Sequence, residues 1–265
     1  MLECVVNVSE GRNARIIGAL ADAVGKDLLD IHSDPDHNRS VFTMVGEDAP
    51  RHLTEAAVSL MSIVDHDGVH PRLGMIDVVP FVPLKNSTMD DAIAARNDFA
   101  EWVARELDIP SFLYGPERSL PSIRKDAWVH LMPDTGPASP HDTAGAICVG
   151  AREPLVAYNV WLHNVDIAET RRIASLVRTE HIRTLGLQVG RFTQVSMNLI
   201  APMIAGPDVA VDAVRQHVKI DHTELVGLLP NDVLQNISRD RWEELDLALN
   251  QTIEWRLEHR RPTSR

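Results

Sequence analysis

The chain has 265 residues, 44% hydrophobic and 24% charged, with a formal net charge of −12 and a sequence pI near 5.4. That balance is globular and long enough for two lobes, while the acidity excludes a sequence-independent grip on nucleic acid. No apolar run reaches the ~18 residues of a membrane helix, and the N-terminal MLECVVNVSEG has neither a basic segment nor a cleavage pattern.

In chain order, Leu2–Val8 reads as a buried strand and Arg12–Val24 as a helix with Ile16, Leu20 and Val24 on one face, Gly25 its stop and Ser9 its N-cap. Leu28–His32 and Ser40–Val45 read as strands around the polar loop SDPDHNR. Pro50–Val64 reads as a helix with Pro50 in its first turn, and MIDVVPFVP as a further strand. A helix over Met89–Leu107, opened by a Thr88/Asp91 capping box, leads to a short strand, SFLY, and a loop-rich stretch from Gly115 to Gly145. The second half repeats the order. Leu155–Leu162 is a strand, Asp166 with Glu169 opens a helix, and Leu185–Val189 and Phe192–Ile200 flank a two-residue Gly190-Arg191 turn. A helix near Val209–Val218 and a strand near Thr223–Leu228 follow. Asp240–Leu257 puts Trp242, Leu245, Leu249 and Ile253 on one face of a last helix. The expected fold is α+β: two ferredoxin-like (βαββαβ) subdomains side by side, residues 1–145 and 146–265, with mixed sheets and helices on one face.

The chemistry concentrates in a few stretches. His70, in VHPRLGMID, is kept out of a helix by Pro71, so a stiff loop holds an imidazole able to give and take a proton near neutral pH; a loop histidine bonded to a backbone carbonyl is the plain alternative. Arg72 supplies positive charge for a carboxylate. Asp30, His32, Asp34, Asp36, His37, Asn38 and Arg39 form either a solvated turn or, with His66 and His70, a metal site. Ser9-Glu10-Gly11-Arg12 presents either a helix N-terminus suited to an anion or a plain cap. Gln194, Ser196 and Asn198 share one strand face, solvated or reading a polar ligand. The loop Gly136–Gly145 either covers a ligand or joins the halves. Cys4 and Cys148, each in an apolar stretch, suit buried thiols in a reducing, cytoplasmic compartment.

The stretches ECVVNVSEGRN, LLDIHSDPDHNRS, HPRLGMIDVVPFVP, TAGAICVGAREPLVAYNV, TQVSMNLI and ELVGLLP, in this order, resemble the glutamate formimidoyltransferase family from residue 3 to about residue 230. The resemblance implies transfer of a formimino group from N-formimino-L-glutamate to N5 of tetrahydrofolate, a co-substrate, with no metal required. It places the catalytic histidine on His70 and the folate-contacting loop on Gly136, Pro137, Ala138, Ser139, Pro140, His141, Asp142, Thr143, Ala144 and Gly145. Glu10, Asn38, Arg39, Arg72 and Arg152 become substrate-binding candidates, and a cytoplasmic homodimer is expected. The chain departs from the family pattern in shorter stretches between Tyr114 and Gly136 and between Val177 and Thr193, and in His32, where relatives often carry an acid. Formyl transfer, hydrolysis of formimino-glutamate, a non-catalytic binding protein and a metal-dependent hydrolase built on His32, Asp36 and His70 remain as alternatives.

Overall fold

The computed structural model describes residues 1–64 and 66–260, and the contacts divide the chain into two compact units, Met1–Glu153 and Pro154–Arg260. In the first, β1 (Leu2–Val8), α1 (Ala14–Val24), β2 (Leu28–Asp34), β3 (Arg39–Val45), α2 (Ala49–Leu60) and β4 (Ile76–Pro83) form a βαββαβ unit with antiparallel order β2-β3-β1-β4. The sheet then extends through α3 (Met89–Leu107), β5 (Ser111–Tyr114), α4 (Leu120–Asp126) and β6 (Ile147–Ala151), in the order β2-β3-β1-β4-β6-β5. β6 runs parallel to both neighbours, pairing Cys148 with Val78 on one side and with Phe112 on the other. The division therefore falls after Glu153, eight residues beyond the expected 145, because a strand bonded on both edges cannot leave its sheet.

Alternation along the strands sorts the core. Val79, Phe81, Ile147 and Val149 face α1–α3, where Phe81, Phe99 and Trp102 meet at ring distances of 5.8 and 5.6 Å. Each such side chain, fully buried, contributes about 1.5–3 kcal/mol. Val78 and Cys148 point to the opposite face, where Ile123 of α4 joins Phe112 and Tyr114. Helices on one face is thus true of α1–α3 but not of α4, which lies inside the stretch expected to be loop. Ser119 caps it and Pro121 sits in its first turn, a local signal the periodicity does not carry.

The helix ends show what competes with sequence pattern. Asn13, not Ser9, caps α1, accepting from Arg15 N–H and Ile16 N–H at 3.1 and 3.3 Å, while the Ser9 hydroxyl donates to the Gly74 carbonyl at 2.9 Å. α2 stops at Leu60 instead of Val64 because the Ile63 N–H is taken by the Thr143 carbonyl at 2.7 Å. The capping box at α3 forms as expected, with Thr88 and Asp91 bonding each other's backbone.

In the second unit β7 (Val156–Leu162), α5 (Ile167–Leu176), β8 (Ile182–Val189), β9 (Phe192–Leu199), α6 (Pro207–Arg215) and β10 (Ile220–Val226) repeat the βαββαβ order, with strands β10-β7-β9-β8. Only the first sheet is mixed; this one is antiparallel throughout. Gly190, at φ +56°, makes the two-residue turn between β8 and β9. Asp166 caps α5 through the Glu169 N–H, but the Glu169 carboxylate turns to Arg172 and leaves the box half formed. After α7 (Asn231–Gln235) the helix expected over Asp240–Leu257 is replaced by two 3-10 turns, Arg239–Arg241 and Leu249–Gln251, and α8 (Ile253–Glu258). The Glu244 and Leu245 carbonyls, which a helix would need, accept instead from the hydroxyls of Thr223 (2.8 Å) and Tyr158 (2.6 Å), and Asp246 turns to φ +53°. Among the described residues no helix is long and apolar enough to cross a membrane.

Candidate active site

Antiparallel pairing brings the C-terminal ends of β1 and β2 and the N-terminal ends of β3 and β4 to one margin of the first sheet, and parallel pairing with β4 adds the N-terminal end of β6. The loops there are packed backbone to backbone. A Cβ on Gly11 would stand 2.2 Å from the Asp34 carbonyl oxygen and 2.5 Å from Arg39 N, so only glycine lets the chain after β1 pass beneath the β2–β3 turn.

His70 sits half-buried at this margin, six residues before the first residue of β4. Its Nδ1 lies 2.8 Å from Arg39 Nη1, at the start of β3, and 3.2 Å from the Pro71 carbonyl oxygen. Arg39 is held in turn by Asn7 of β1, through Nε at 3.2 Å, and by Asp77 of β4, whose Oδ2 is 3.6 Å from Nη1. Asp77 is 1% exposed and takes both terminal nitrogens of Arg124 (Nη1 at 2.8 Å), plus the Leu73 N–H at 2.8 Å. Burial alone pushes this carboxyl up, but Arg124, then Arg39 and the Leu73 N–H, outweigh it and hold Asp77 below the usual carboxylate range. Burial and the Arg39 charge push the His70 imidazole down to about 3, so at neutral pH it is an uncharged ring. Burial also lowers Arg39, to about 10, which leaves it cationic.

Arg72 braces the loop that carries His70. Its Nη2 donates to the carbonyls of Gly68 (2.6 Å) and His70 (2.7 Å), and its Nη1 to His66 Nδ1. His66 Nε2 donates to the Asn38 carbonyl at 3.0 Å, and burial followed by the nearby Arg72 charge lowers its pKa, keeping it neutral for both roles. The Asn38 side chain accepts from the Gly11 N–H (3.0 Å) and donates to the Asp67 carbonyl (2.8 Å), at φ +47°. Three loops are fastened together by Asn38, His66 and Arg72.

The structure gathers His70, Arg39 and Arg72 but assigns other work to several expected residues. Glu10 Oε1 accepts from the N–H groups of Arg12 and Asn13, just ahead of α1, and Glu10 and Asn38 border an open cleft of about 550 Å³ there. Arg152 lies at the far end of β6, its N–H bonded to the Phe81 carbonyl, roughly 13 Å along β4 from Asp77 at ~3.3 Å per residue. The loop Gly136–Gly145 is ordered where it meets the His70 segment. His141 and Gly145 exchange backbone bonds at 2.9 Å, His141 Nδ1 accepts from Thr143 and Ala144, and Ala144 O and Ala146 N pair with Met75 and Leu73. Ala138, Ser139, Pro140, Asp142 and Thr143 are exposed, whereas Ala144 and Gly145 are buried. Gln194, Ser196 and Asn198 alternate with the core residues Val195, Met197 and Leu199 on β9. Among the described residues no three His, Cys, Asp or Glu side chains gather as metal ligands. Sequence reasoning missed Asn7, Asp77 and Arg124, and offered His66 only as a metal ligand, not as the brace between Asn38 and Arg72. Asp77 carried a signal, a lone acid inside an apolar strand, which must find a cation.

The family model for the formiminotransferase domain, N-terminal subdomain, matches residues 1–152, the first unit almost to its last residue. The chain belongs to the formiminotransferase family. It is 36% identical over 278 residues to a glutamate formimidoyltransferase of Streptococcus pyogenes serotype M1, covering 90% of this chain and 92% of that protein. To the glutamate formimidoyltransferase of Thermoplasma acidophilum it is 32% identical, over 90% and 91% of the two chains. The formimidoyltransferase-cyclodeaminase of Sus scrofa is 32% identical over 95% of this chain, which spans 54% of that longer protein. In this formiminotransferase chain, then, the first unit carries both the matched subdomain and the Arg39–His70 pair.

Proposed function

We propose that this chain is a one-carbon group transferase that moves the formimino group of N-formimino-L-glutamate to N5 of tetrahydrofolate. The observation that carries the reading is the placement of a neutral His70 against Arg39 at the sheet margin of a formiminotransferase-family chain. The lone pair of N5 adds to the amidine carbon while His70 takes the N5 proton, and the C=N electrons move onto the formimino nitrogen. Collapse of the tetrahedral carbon breaks its bond to the glutamate nitrogen, which leaves with the electron pair and takes the proton back from His70. The products are 5-formiminotetrahydrofolate and glutamate. One positioned imidazole contributes typically about 10²–10⁴-fold to such steps, and holding two substrates together adds an entropic advantage.

Arg39 is the cation this reading offers to a glutamate carboxylate, and the exposed part of Gly136–Gly145 the wall offered to the folate. Two buried free thiols, Cys4 and Cys148, are in keeping with a cytoplasmic location. From the family resemblance the working unit is a homodimer, testable by sedimentation.

Mixing the protein with formimino-glutamate, with and without tetrahydrofolate, decides the function. Glutamate release that requires folate is the expected result; release without it makes the chain a hydrolase, and none makes it a binding protein. Arg72→Lys keeps a charge but not the fork that spans two carbonyls and an imidazole. Because Arg72 fastens the His70 loop, its expected effect is a kcat lowered about tenfold or more with KM little changed. A raised KM at constant kcat would instead return Arg72 to carboxylate binding.

A further inference from the structure

Two contacts of His70 exclude each other. An arginine N–H only donates, so Arg39 Nη1 at 2.8 Å requires His70 Nδ1 to be an acceptor, with the ring proton on Nε2. The Pro71 carbonyl only accepts, so its approach to the same Nδ1 at 3.2 Å becomes a hydrogen bond only when Nδ1 carries the proton and Nε2 is bare. The shorter contact wins in the structure described. In that state Nε2 is a donor, and the nitrogen with the lone pair, Nδ1, is covered by a guanidinium. A general base needs the opposite arrangement.

We propose that Arg39 is a substrate-operated gate on the tautomer of His70: a carboxylate of the incoming amino-acid substrate draws the guanidinium off Nδ1, the ring reprotonates there onto the Pro71 carbonyl, and Nε2 becomes the base. The inference rests on the transferase reading given above and deepens it. Proton balance is kept, one proton leaving Nε2 to solvent and one arriving at Nδ1. Arg39 is built for the move. It is fastened by Asn7 through Nε alone, and its Nη1 is shared between His70 and, at a longer 3.6 Å, Asp77, which already has Arg124 as its closer partner. The groups facing the imidazole are Arg39 from β3, Asp77 from β4 and the His37 ring, 6.1 Å away, from the β2–β3 turn. Of these only Arg39 touches a ring nitrogen. The His70 carbonyl meanwhile stays tied to Arg72, so the loop need not move for the ring to change state. The ring's low pKa, due to burial and then to Arg39, fits the same picture, since drawing off the cation raises the basicity as the substrate arrives. An empty site is thereby kept from holding a competent base.

Nitrogen-15 spectra of histidine-labelled protein read the tautomer directly, with the His70 signals assigned by their loss in His70→Gln. The free protein should show a protonated Nε2 and a bare Nδ1, and saturating N-formimino-L-glutamate should interchange them. Arg39→Met, which removes the donor, should show the interchanged pattern with no ligand; Arg39→Gln serves if that variant does not fold. Saturable binding by calorimetry with no interchange overturns the gate, as does a folded Arg39→Met protein whose Nδ1 stays bare. Absence of any binding sinks the transferase reading and the substrate half of the gate. The Arg39→Met spectrum still decides separately whether Arg39 sets the tautomer.

Discussion

His70→Ala is expected to lower turnover by about 10²–10⁴-fold while leaving the urea midpoint of unfolding almost unmoved. The imidazole is half-buried on a loop, and what it holds is held by others: Arg39 keeps Asn7 and Asp77, and the loop keeps Arg72 on the carbonyls of residues 68 and 70. Little packing is lost, whereas the neighbouring His66, with both ring nitrogens committed, is not placed to take over the proton transfer. The pH profile adds a second mark. Since the free-protein pKa is held down near 3 by burial and Arg39, the neutral ring is already present above that value. The acid limb of kcat/KM then shows no step at the ordinary histidine value of about 6.5, whatever other groups contribute. A well-folded His70→Ala protein turning over within a few-fold of the parent would remove His70 from the reaction.

Asp77→Ala should cost about 3–5 kcal/mol of folding stability, the range seen when one partner of a buried ion pair is removed. The carboxylate is 1% exposed and neutralises Arg124 directly and Arg39 at 3.6 Å; without it two guanidinium groups, 18% and 17% exposed, face each other and the Leu73 N–H loses its acceptor. Against a total of roughly 5–15 kcal/mol that is a large share. The sign with pH follows from the direction of the shift. The folded Asp77 pKa lies below its unfolded value of about 3.9, so its stabilisation is complete above that value and is lost as pH falls through the folded pKa. Urea titrations at pH 7 and below pH 4 should find Asp77→Asn less acid-sensitive than the parent. A midpoint for Asp77→Ala equivalent to less than about 1 kcal/mol of loss would show that Arg39 and Arg124 relax to solvent.

Most of the architecture was legible because it depends on local periodicity. The alternating run at Leu2–Val8, the helical spacing and capping box of Met89–Leu107, and glycine first in the Gly190 turn each specify one conformation almost alone. What was not legible depended on a partner distant in sequence. Asp240–Leu257 has the apolar spacing of a helix, but Tyr158 and Thr223, from the other end of the unit, take its carbonyls. Asn13 displaced Ser9 as a cap because Gly74, 65 residues away, claims the serine hydroxyl. The same holds in the site. His70 was found by its proline-stiffened loop, yet its partner Arg39 is 31 residues earlier, and Arg72 reads as a carboxylate clamp until the three groups it bonds are seen.

The sixth strand of the first sheet arrives late for its place. β4 and β5 leave the ribosome well before Ile147–Ala151, yet they become neighbours only through that segment. Until it is translated, β4 shows an open edge, and so does β5, whose other side is already bonded to Asp134 and Thr135; each open edge is a template for pairing with the other or with another chain. Direct union of β4 with β5 would bar the later strand and have to be undone. A nascent chain stopped at residue 145 would hold the whole His70 loop but an interrupted sheet, whereas one extended through Glu153 could close it. The time spent translating residues 115–146 therefore sets how long this protein is open to misassembly.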